Sequence, residues 1–569
     1  FWLKLSARNI GYPFGSPHAL FALHTFRPTE MVSFSWILAL AAVAAAAPGS
    51  FRGHTVAVED VKESLHEMMK AMLDGQGSMA KQLEGIEASI WQSYQSLPKN
   101  EAGHIGSRAV RYLVHNYFAK EHGWLIKGLE PHGHQENMSE VHEVNILQDK
   151  APLLVESLLE AHRSDRGLSL VETTAMIATL EKLIVDEAST LLQAAYTLNS
   201  FQMEEKLDEK RLHGVLTSYL VLFEMGGRAV LDNRELHRLL KAKAELAGGN
   251  WPLLVDFEQD AVHNFAFAQR HVRNPFQDTN SFSFQDAKVI IEDLTRGYGK
   301  WQDTECQQMK RELMDMDPLG MGRVPLSRFY SQPENAEYHF TETPEYLEKV
   351  GALEESKGSS YVRIANYMTG PSNCIASSSY YSVCCLNECE VLMNELESKI
   401  LAPSTSPQRL LGLAANLSSA TVDAPRALPT VMEEKLHAIA ARHDGEVPLH
   451  GRLFAQWMHH AFPHECPYPH IAEDASILAP THWMDQKIVV SRTEREVLAS
   501  AEAPEEHLTL DWSEEEVLAA HQISKISGRF NGMRLLMQLG VLLGLLRMVL
   551  GSWQLLGPSQ GKKATSLPF

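Results

Sequence analysis

Basic residues are scarce in this sequence relative to acidic ones. Lysine and arginine together number 51, whereas aspartate and glutamate number 71, so the formal net charge is −20 at pH 7. Such a chain repels phosphate backbones and offers no basic stripe on which a nucleic acid would dock. Apolar residues make up 44% of the chain, too many for a wholly disordered protein. The composition indicates a folded protein that does not bind nucleic acids.

The sequence also lacks the common catalytic and nucleotide-binding motifs. It contains no Walker loop, no dinucleotide-binding glycine motif, no HExxH, no GxSxG and no set of kinase motifs. A cysteine protease would use Cys374 or Cys384 as its nucleophile, but the residues around neither match the papain or caspase signatures. These absences favour a protein without catalytic activity.

The start of the chain lacks an initiator methionine, and the first methionine is Met31. Residues 1–30 begin with Phe-Trp-Leu-Lys and resemble a translated 5′ leader of trans-spliced protist messages, so they are expected to lie outside the fold. Residues 31–50 resemble a signal peptide, because a run of about a dozen apolar residues ends in small residues and proline. No lysine or arginine stands between Met31 and this run, which leaves a buried helix as the alternative.

Apolar residues recur every three or four positions through the region 52–250. This spacing places them on one face of an amphipathic helix. The sequence therefore predicts a mainly α-helical protein in which 52–250 forms a helical bundle or array, with no evident internal repeat. The stripes that carry the prediction are Val58, Val61, Leu65, Met68 and Met72; Met79, Leu83, Ile86, Ile90, Tyr94 and Leu97; and Met176, Leu180, Leu183 and Leu191.

The segment 314–329 resembles the calcium-binding loop of an EF-hand, and the helix-like WQDTECQQMKREL precedes it as the entering helix would. If Asp315 takes position one, Leu326 stands where the family has its bidentate glutamate. If Asp317 takes position one instead, Arg328 stands there. Either register loses the terminal carboxylate, although calcium requires about six to eight oxygen ligands.

We therefore expect the region 251–345 to contain an EF-hand-like helix pair. This pair should keep the shape of an EF-hand better than it keeps the calcium ligands. In the second register Gly322 and Val324 also fit positions six and eight of the loop. Weak Ca²⁺ binding through Asp315 and Asp317 is one alternative, and an unrelated proline-glycine turn is the other. No other cofactor is indicated.

All six cysteines lie beyond residue 300, mostly within the region 346–490. An oxidising lumen would pair them, and the adjacent Cys384 and Cys385 would most easily bond to two different partners. Six cysteines allow fifteen pairings, so none is assigned, and their spacing does not match a zinc site. The disulfide candidates are Cys306, Cys374, Cys384, Cys385, Cys389 and Cys466.

A proline-interrupted segment, WMHHAFPHECPYPH, concentrates side chains able to bind a metal. No standard zinc spacing is met, so a structural loop held by a Cys466 disulfide is favoured over a metal site. The metal hypothesis would use His459, His460, His464 and His470.

The stretch from about Asn366 to His470 resembles a protist family of secreted or membrane-anchored proteins. The resemblance is carried by NYMTGPSNC, SVCCLNECE and HGRLFAQWMHHAFPHECPYPH, and it implies no particular activity. Passage through the secretory pathway would expose Asn137 and Asn416 to glycosylation, because each begins an Asn-x-Ser acceptor sequence.

Acidic residues accumulate in 491–530, which we expect to be a linker. Ser513 and Glu516 have the spacing of a capping box, so part of this linker is predicted to be a solvated helix. Residues 533–556 follow as an apolar stretch long enough to cross a bilayer. The tail 557–569 carries two lysines, which favours a cytosolic C-terminus and a type I topology.

Arg547 is the weak point of the predicted membrane helix. An arginine near the centre costs about 2.5 to 3.5 kcal/mol on insertion scales, which about ten leucines roughly offset. Gly540 and Gly544 have the small-residue spacing at which two membrane helices approach closely, so a partner helix would cover Arg547 and support an oligomer. A buried or interfacial helix is the alternative.

The sequence as a whole favours a non-enzymatic luminal or cell-surface protein that binds or scaffolds others, with an EF-hand-like centre, a disulfide-containing segment and a C-terminal anchor. One alternative is a hydrolase or metal-dependent enzyme that combines the Cys/His segments. A second alternative is a weak calcium-binding protein. Ligand and organelle are not encoded in any recognisable motif.

Deletion of the chain after Phe530 should release the protein from membranes, because it removes the predicted anchor. Fractionation with a carbonate wash measures this: the full chain should stay with the membranes and the truncated chain should not. Equal release of both chains would identify 533–556 as a peripheral or core helix.

Overall fold

The computed structural model describes residues 78–126, 129, 167–224, 233–247, 250–270, 281–317, 319–332, 340–356, 358–375, 381–470, 488–501 and 511–517. Several predictions lie outside these ranges: the leader, the signal peptide, the first amphipathic stripe, Asn137 and the membrane helix. Within the ranges, no helix combines the length and the hydropathy that a bilayer span requires.

The described chain is mainly helical, as predicted. Its helices are α1 Ser78–Ser96, α2 Ser107–Glu121, α3 Leu170–Leu198, α4 Glu209–Glu224, α5 Arg234–Ala247, α6 Trp251–Arg270, α7 Phe284–Asp315, α8 Leu326–Tyr330, α9 Pro344–Lys349, α10 Ile364–Met368, α11 Glu388–Ile400, α12 Pro407–Ala415, α13 Thr430–Arg442, α14 Arg452–Ala461 and α15 Arg492–Ala499. The strands are β1 Trp124–Ile126, β2 Leu207–Asp208, β3 Ser281–Phe282, β4 Arg323–Pro325, β5 Leu353–Ser356, β6 Ser359–Arg363, β7 Tyr381–Val383, β8 Ser404–Thr405 and β9 Val447–Pro448.

Two long helices, α3 and α7, run through the centre of the larger core. Each begins with a capping box. The side chain of the N-cap serine accepts a hydrogen bond from the backbone N–H three residues later, and the acidic side chain of that later residue accepts one from the backbone N–H of the serine. Ser169 and Glu172 form the box of α3, and Ser283 and Asp286 form that of α7. The caps satisfy N–H groups that a helix leaves free at its start, so they fix where both helices begin.

Very short antiparallel pairings join the helices into a recurring unit of helix, loop, strand and helix. The residue that pairs across the strands usually stands two positions before the next helix begins, so pairing and helix entry are coupled. The pairs are Ile105 with Leu168, Leu207 with Phe282, Val324 with Val362, and Thr405 with Val447; Val447 is the exception to the spacing. The sequence showed no repeat, yet the fold repeats this unit.

The buried apolar side chains form two clusters. The larger contains residues from Ile86 to Val490 and the smaller contains residues from Cys389 to Cys466. The predicted stripe of Met176, Leu180 and Leu183 lies in the larger cluster. That cluster includes Ala244 and Trp251, so the core continues from the region 52–250 into the region 251–345.

The predicted capping box at Ser513 and Glu516 is wrong. Residues 511–517 are not helical and lie against the smaller core. Glu516 accepts from the backbone N–H of Leu453 at 3.1 Å and contacts His443 at 3.0 Å, while Ser513 accepts from Arg452 at 2.9 Å. Ser513 and Glu516 therefore hydrogen-bond to α14 and its neighbours and do not cap a helix of their own, because these tertiary contacts are favoured over a local helical turn.

A buried carboxylate fastens the first three helices together. Glu181 on α3 is 3% exposed and accepts from Tyr117 at 2.7 Å, from His122 at 3.0 Å and from Gln82 at 2.7 Å. Burial alone would raise the pKa of Glu181, but the hydrogen bonds from these three partners outweigh it and hold the pKa below its ordinary value.

Replacement of this carboxylate, Glu181→Ala, should destabilise the fold by about 3 kcal/mol, because three donors lose their acceptor. Since the folded pKa is depressed, the stabilisation is present above the unfolded pKa of about 4.3 and is lost as the pH falls through the folded pKa. Urea unfolding at pH 7 and at about pH 3 measures the difference. Glu84→Ala on the exposed side of α1 is the control; equal effects of both variants at pH 7 would contradict the role of Glu181.

Candidate functional site

All six cysteines form disulfides within the described ranges. The bonds join Cys306 with Cys385, Cys374 with Cys384, and Cys389 with Cys466. The prediction that the adjacent Cys384 and Cys385 bond to different partners is confirmed. Because no free thiol remains, no cysteine is available in this state as a nucleophile or as a thiolate ligand.

The disulfides converge on one junction of the molecule. Cys306 ties the middle of α7 to the chain after β7, and Cys389 ties the first turn of α11 to Cys466, in the segment after α14. The turn that carries His464 and Glu465 is thereby held against α7 and α11. The EF-hand-like loop and the histidine segment, which are far apart in the sequence, meet here.

Asp317 and His464 form the contact between those two parts. The Asp317 carboxylate is buried and accepts from the backbone N–H of Gly322 at 2.7 Å and of Met321 at 3.2 Å. The Nε2 atom of His464 lies 3.0 Å from the same carboxylate. Asp315, the other calcium-ligand candidate, is exposed at the last residue of α7.

Gly322 makes the close approach between loop and turn possible. Its φ of +72° is in the left-handed region, and a Cβ atom there would lie 2.3 Å from the carbonyl oxygen of Pro463. Only glycine meets both conditions without displacing the turn. The position that the EF-hand resemblance assigned to a loop glycine therefore has a packing reason in this protein.

The four candidate metal-binding histidines have four different partners. His459 Nδ1 lies 2.8 Å from the carbonyl of Cys466, His460 Nε2 lies 2.8 Å from that of Asp511, and His470 Nε2 lies 3.2 Å from that of Lys349. Burial, with a smaller effect of His460, lowers the pKa of His459 to about 3, so its ring is neutral at neutral pH. In the ranges given above, no three His, Cys, Asp or Glu side chains are arranged to hold a metal ion.

A small cleft of about 20 Å³, room for about one water molecule, opens at this junction. Polar side chains from α7, α11 and the 464–466 turn line it, beside the Cys306–Cys385 disulfide and apolar side chains. We call it the junction cleft; the lining used below is Asp303, Lys310, Glu388, Glu465, Met368 and Leu386.

One buried cation lies among the carboxylates of the junction cleft. Lys310 Nζ contacts both oxygens of Glu388, at 3.0 and 2.9 Å, and lies 3.9 Å from Glu465 Oε1. Burial, and next the charge of Glu388, raise the pKa of Asp303. Arg426 also lies close enough to Glu465 for the charges of the two side chains to interact.

These polar residues were not predicted from the sequence. Asp303 and Lys310 are seven positions apart on α7 and share one helix face with Gln307, a spacing that marks a polar stripe. That stripe was the available signal. Glu388 and Glu465 come from separate segments, and only the disulfides and the packing of the turn bring them to it.

Asn416 stands exposed at the end of α12, where an acceptor for glycosylation is expected to lie. Its Nδ2 atom donates to the carbonyl of Gly412 at 2.8 Å. The position is accessible, and the side chain would exchange that bond for a glycan without disturbing the core.

Comparisons with family models, with curated proteins and with solved structures give no match to the chain. The resemblances to a protist family and to an EF-hand loop therefore rest on the residues quoted above. Function has to be argued from the geometry of the junction and its surroundings.

Removal of the His464 side chain, His464→Ala, should destabilise the protein by about 3 kcal/mol. The substitution leaves the buried carboxylate of Asp317 without its side-chain partner, which is the costly way to break such a pair. Urea unfolding measures the change, with His437→Ala on the exposed face of α13 as the control. In the double variant with Asp317→Asn the loss should be smaller than the sum of the two single losses; strict additivity would show that the contact contributes nothing.

Proposed function

We propose that this protein is a non-enzymatic binding or scaffold protein of the secretory pathway, built from EF-hand-like units that keep their shape without calcium. The observation that carries the proposal is the state of Asp317. This residue stands at the first ligand position of the loop, and its carboxylate is engaged by Met321, Gly322 and His464. Groups of the protein itself therefore hydrogen-bond to the carboxylate that would be the first ligand of a calcium ion.

The recurring unit of the fold supports the EF-hand likeness. An EF-hand is a helix, a loop and a second helix. Here the loop after α7 leads to Val324, which pairs with Val362 and directly precedes the N-cap of α8. Val324 takes position eight only in the register that starts at Asp317, so the geometry favours that register over the one starting at Asp315.

Two further described loops at these pairings supply few carboxylates that are free to bind calcium. Residues 401–406 contain no carboxylate. Residues 443–446 contain Asp444 and Glu446, and Glu446 accepts from Ser404. Since calcium takes about six to eight oxygens, several of them from carboxylates, these loops favour a structural role for the units.

Three disulfides favour an oxidising compartment for folding, as luminal and extracellular proteins have. The proposal includes attachment to a membrane through 533–556 in a type I topology, with Gly540 and Gly544 facing a partner helix. Glycans at Asn137 and Asn416 would mark the luminal side. No reaction is assigned to the protein.

The enzyme alternative loses its strongest nucleophile candidates, because Cys374 and Cys384 are bonded to each other. The calcium alternative keeps Asp315 and Asp317, but one is exposed and the other is already hydrogen-bonded. A binding or scaffold role uses the junction as it stands, so it is the function that the geometry supports best.

Calorimetric titration of the disulfide-intact protein with Ca²⁺ tests the proposal. We expect no saturable binding in the ~10⁻⁷ to 10⁻⁵ M range of sensor loops and no rise in melting temperature at micromolar Ca²⁺. The double variant His464→Gln with Arg328→Glu weakens the competing contact and restores the carboxylate at position twelve, so it should bind more tightly than the parent. Micromolar binding by the parent, abolished by Asp317→Ala, would instead identify a calcium sensor.

A further inference from the structure

We propose that the surface between α13 and α14 binds an acidic, tryptophan-containing segment of a partner protein, and that residues 511–517 of the chain occupy this site as an internal ligand. The inference rests on the proposed binding role and names the place and the chemistry of that binding. Residues 511–517 have the sequence DWSEEEV and form neither helix nor strand, and we call them the docked segment. The surface beneath is the α13–α14 groove; the side chains of it used below are Arg363, Lys435, Arg442, Arg452, Gln456 and His460.

The side chain of Trp512 is the apolar anchor of the docked segment. It is partly buried and packs against the smaller hydrophobic cluster. The Nζ atom of Lys435 lies 4.4 Å from the centre of the Trp512 ring, and the ring of His460 stacks on it with the ring centres 6.3 Å apart. A cation over an indole face, together with a neighbouring ring, favours an aromatic residue at this position of a ligand.

Glu514 meets two cations of α13. Its carboxylate contacts the guanidinium of Arg442 and lies 3.6 Å from the Nζ atom of Lys435. The two cations are seven positions apart on the helix, so they share one face. Glu514 is largely exposed, and salt therefore screens these contacts. They select for an acidic residue more than they add to affinity.

The docked segment also caps α14. The N-cap residue, Gly451, offers no side-chain acceptor to the first turn of this ten-residue helix. Glu516 supplies the acceptor, because its Oε1 atom accepts from the backbone N–H of Leu453 at 3.1 Å. The carbonyl of Val517 accepts from the backbone N–H of Arg452 at 2.9 Å. Free N–H groups and the helix dipole favour a carboxylate at a helix start, so a second acidic position in the ligand is selected.

Gln456 and Arg452 bind the backbone of the docked segment. The Gln456 amide accepts from the N–H of Ser513 at 2.8 Å and donates to the carbonyl of Ser513 at 3.1 Å. Arg452 donates to the carbonyl of Glu515 at 3.2 Å. Main-chain bonds of this kind hold a peptide whatever its side chains are. Sequence preference therefore comes from the tryptophan and the acidic side chains.

Asp511 contributes less to the charge preference. Its carboxylate contacts Arg363, but Arg363 also lies 3.4 Å from a carboxylate oxygen of Glu354. The charge of Arg363 is thus shared between two acids. The contacts of Glu514 and of the α14 start carry the preference for an acidic ligand.

The docked segment lies on the surface, because each of its seven residues is at least partly exposed. A segment of the same chain competes with a partner at an effective concentration on the order of millimolar. The internal ligand therefore keeps partner binding weak until it is displaced. Exchange of docked segments between two copies would gain no contact over the closed chain, which favours a partner protein as the source.

Fluorescence anisotropy with a labelled peptide of the sequence DWSEEEV tests the site in the full, disulfide-intact protein. The double variant Trp512→Ala with Glu514→Gln weakens the internal ligand and leaves the groove unchanged, so it should bind the peptide at least about tenfold more tightly than the parent. Glu515→Gln is the matched control, because Glu515 is exposed and, among the described residues, contacts the groove through its backbone; its affinity should equal that of the parent. Equal affinity of the double variant and the parent would overturn the proposal.

Altered peptides then test the selectivity of the double variant. A peptide carrying Trp512→Ala, and a scrambled peptide of the same composition, should each bind at least about tenfold more weakly than DWSEEEV. A peptide carrying Glu515→Ala should bind as well as DWSEEEV does. Equal binding of all four peptides would reduce the groove to unspecific charge attraction and contradict the inference. If the double variant does not fold, Glu514→Gln alone replaces it, with an expected gain of about threefold over the parent.

Light scattering separates a partner protein from a second copy as the source. The parent and the double variant should have the same oligomeric state. A dimer of the parent that the double variant loses would place the occupant in a second copy and overturn the assignment to a partner protein. The calcium titration involves Asp317 and none of these contacts, so failure of peptide binding would overturn the groove inference and leave the proposed function standing.

Discussion

The hydrogen-bonded pair of Asp317 and His464 joins segments that lie far apart in the sequence, and much of the described structure depends on it. His464 is held in place because Cys466, two residues later, is bonded to Cys389 on α11. Asp317 in turn accepts a hydrogen bond from the backbone N–H of Gly322, and Gly322 packs closely against Pro463 in the turn. The pair therefore joins a loop beside the larger hydrophobic cluster to a turn beside the smaller one.

In the proposed function, this arrangement would replace an external ion by internal groups. In a calcium-binding loop the ion collects the ligands, so the loop is ordered only while the ion is bound. Here backbone N–H groups and an imidazole engage the carboxylate permanently, and a disulfide holds the partner segment. Under the proposed function, a unit ordered in this way would not report calcium concentration, but it would offer the fixed surface that a binding or scaffold protein requires.

The helical content was predictable because helices leave a strong signal. Stripes such as Met176, Leu180 and Leu183 repeat with the helical period and lie in the core. The recurring unit was not predictable from a single sequence, because each pairing uses one to three residues per strand and leaves almost no alternation to detect. The same limit applies to Ser513 and Glu516, whose local pattern was overridden by partners on α14 and its flanks.

The candidate site was predictable only in pieces. The loop, the cysteines and the histidine segment were all found, and the different partners of Cys384 and Cys385 followed from their adjacency. The convergence of these three segments was not predictable, because contacts between residues nearly 150 positions apart depend on the whole fold. The polar residues of the junction cleft were missed for the same reason, since no motif links α7 with α11 and the 464–466 turn.

Amide hydrogen exchange at Met321 and Gly322 tests the central claim most directly. Both N–H groups donate to the Asp317 carboxylate, so their protection reports whether the loop is ordered by the protein itself. The account predicts strong protection in the presence of a calcium chelator and the same protection in millimolar Ca²⁺. Rapid exchange in the chelator, with protection appearing only after calcium is added, would contradict it.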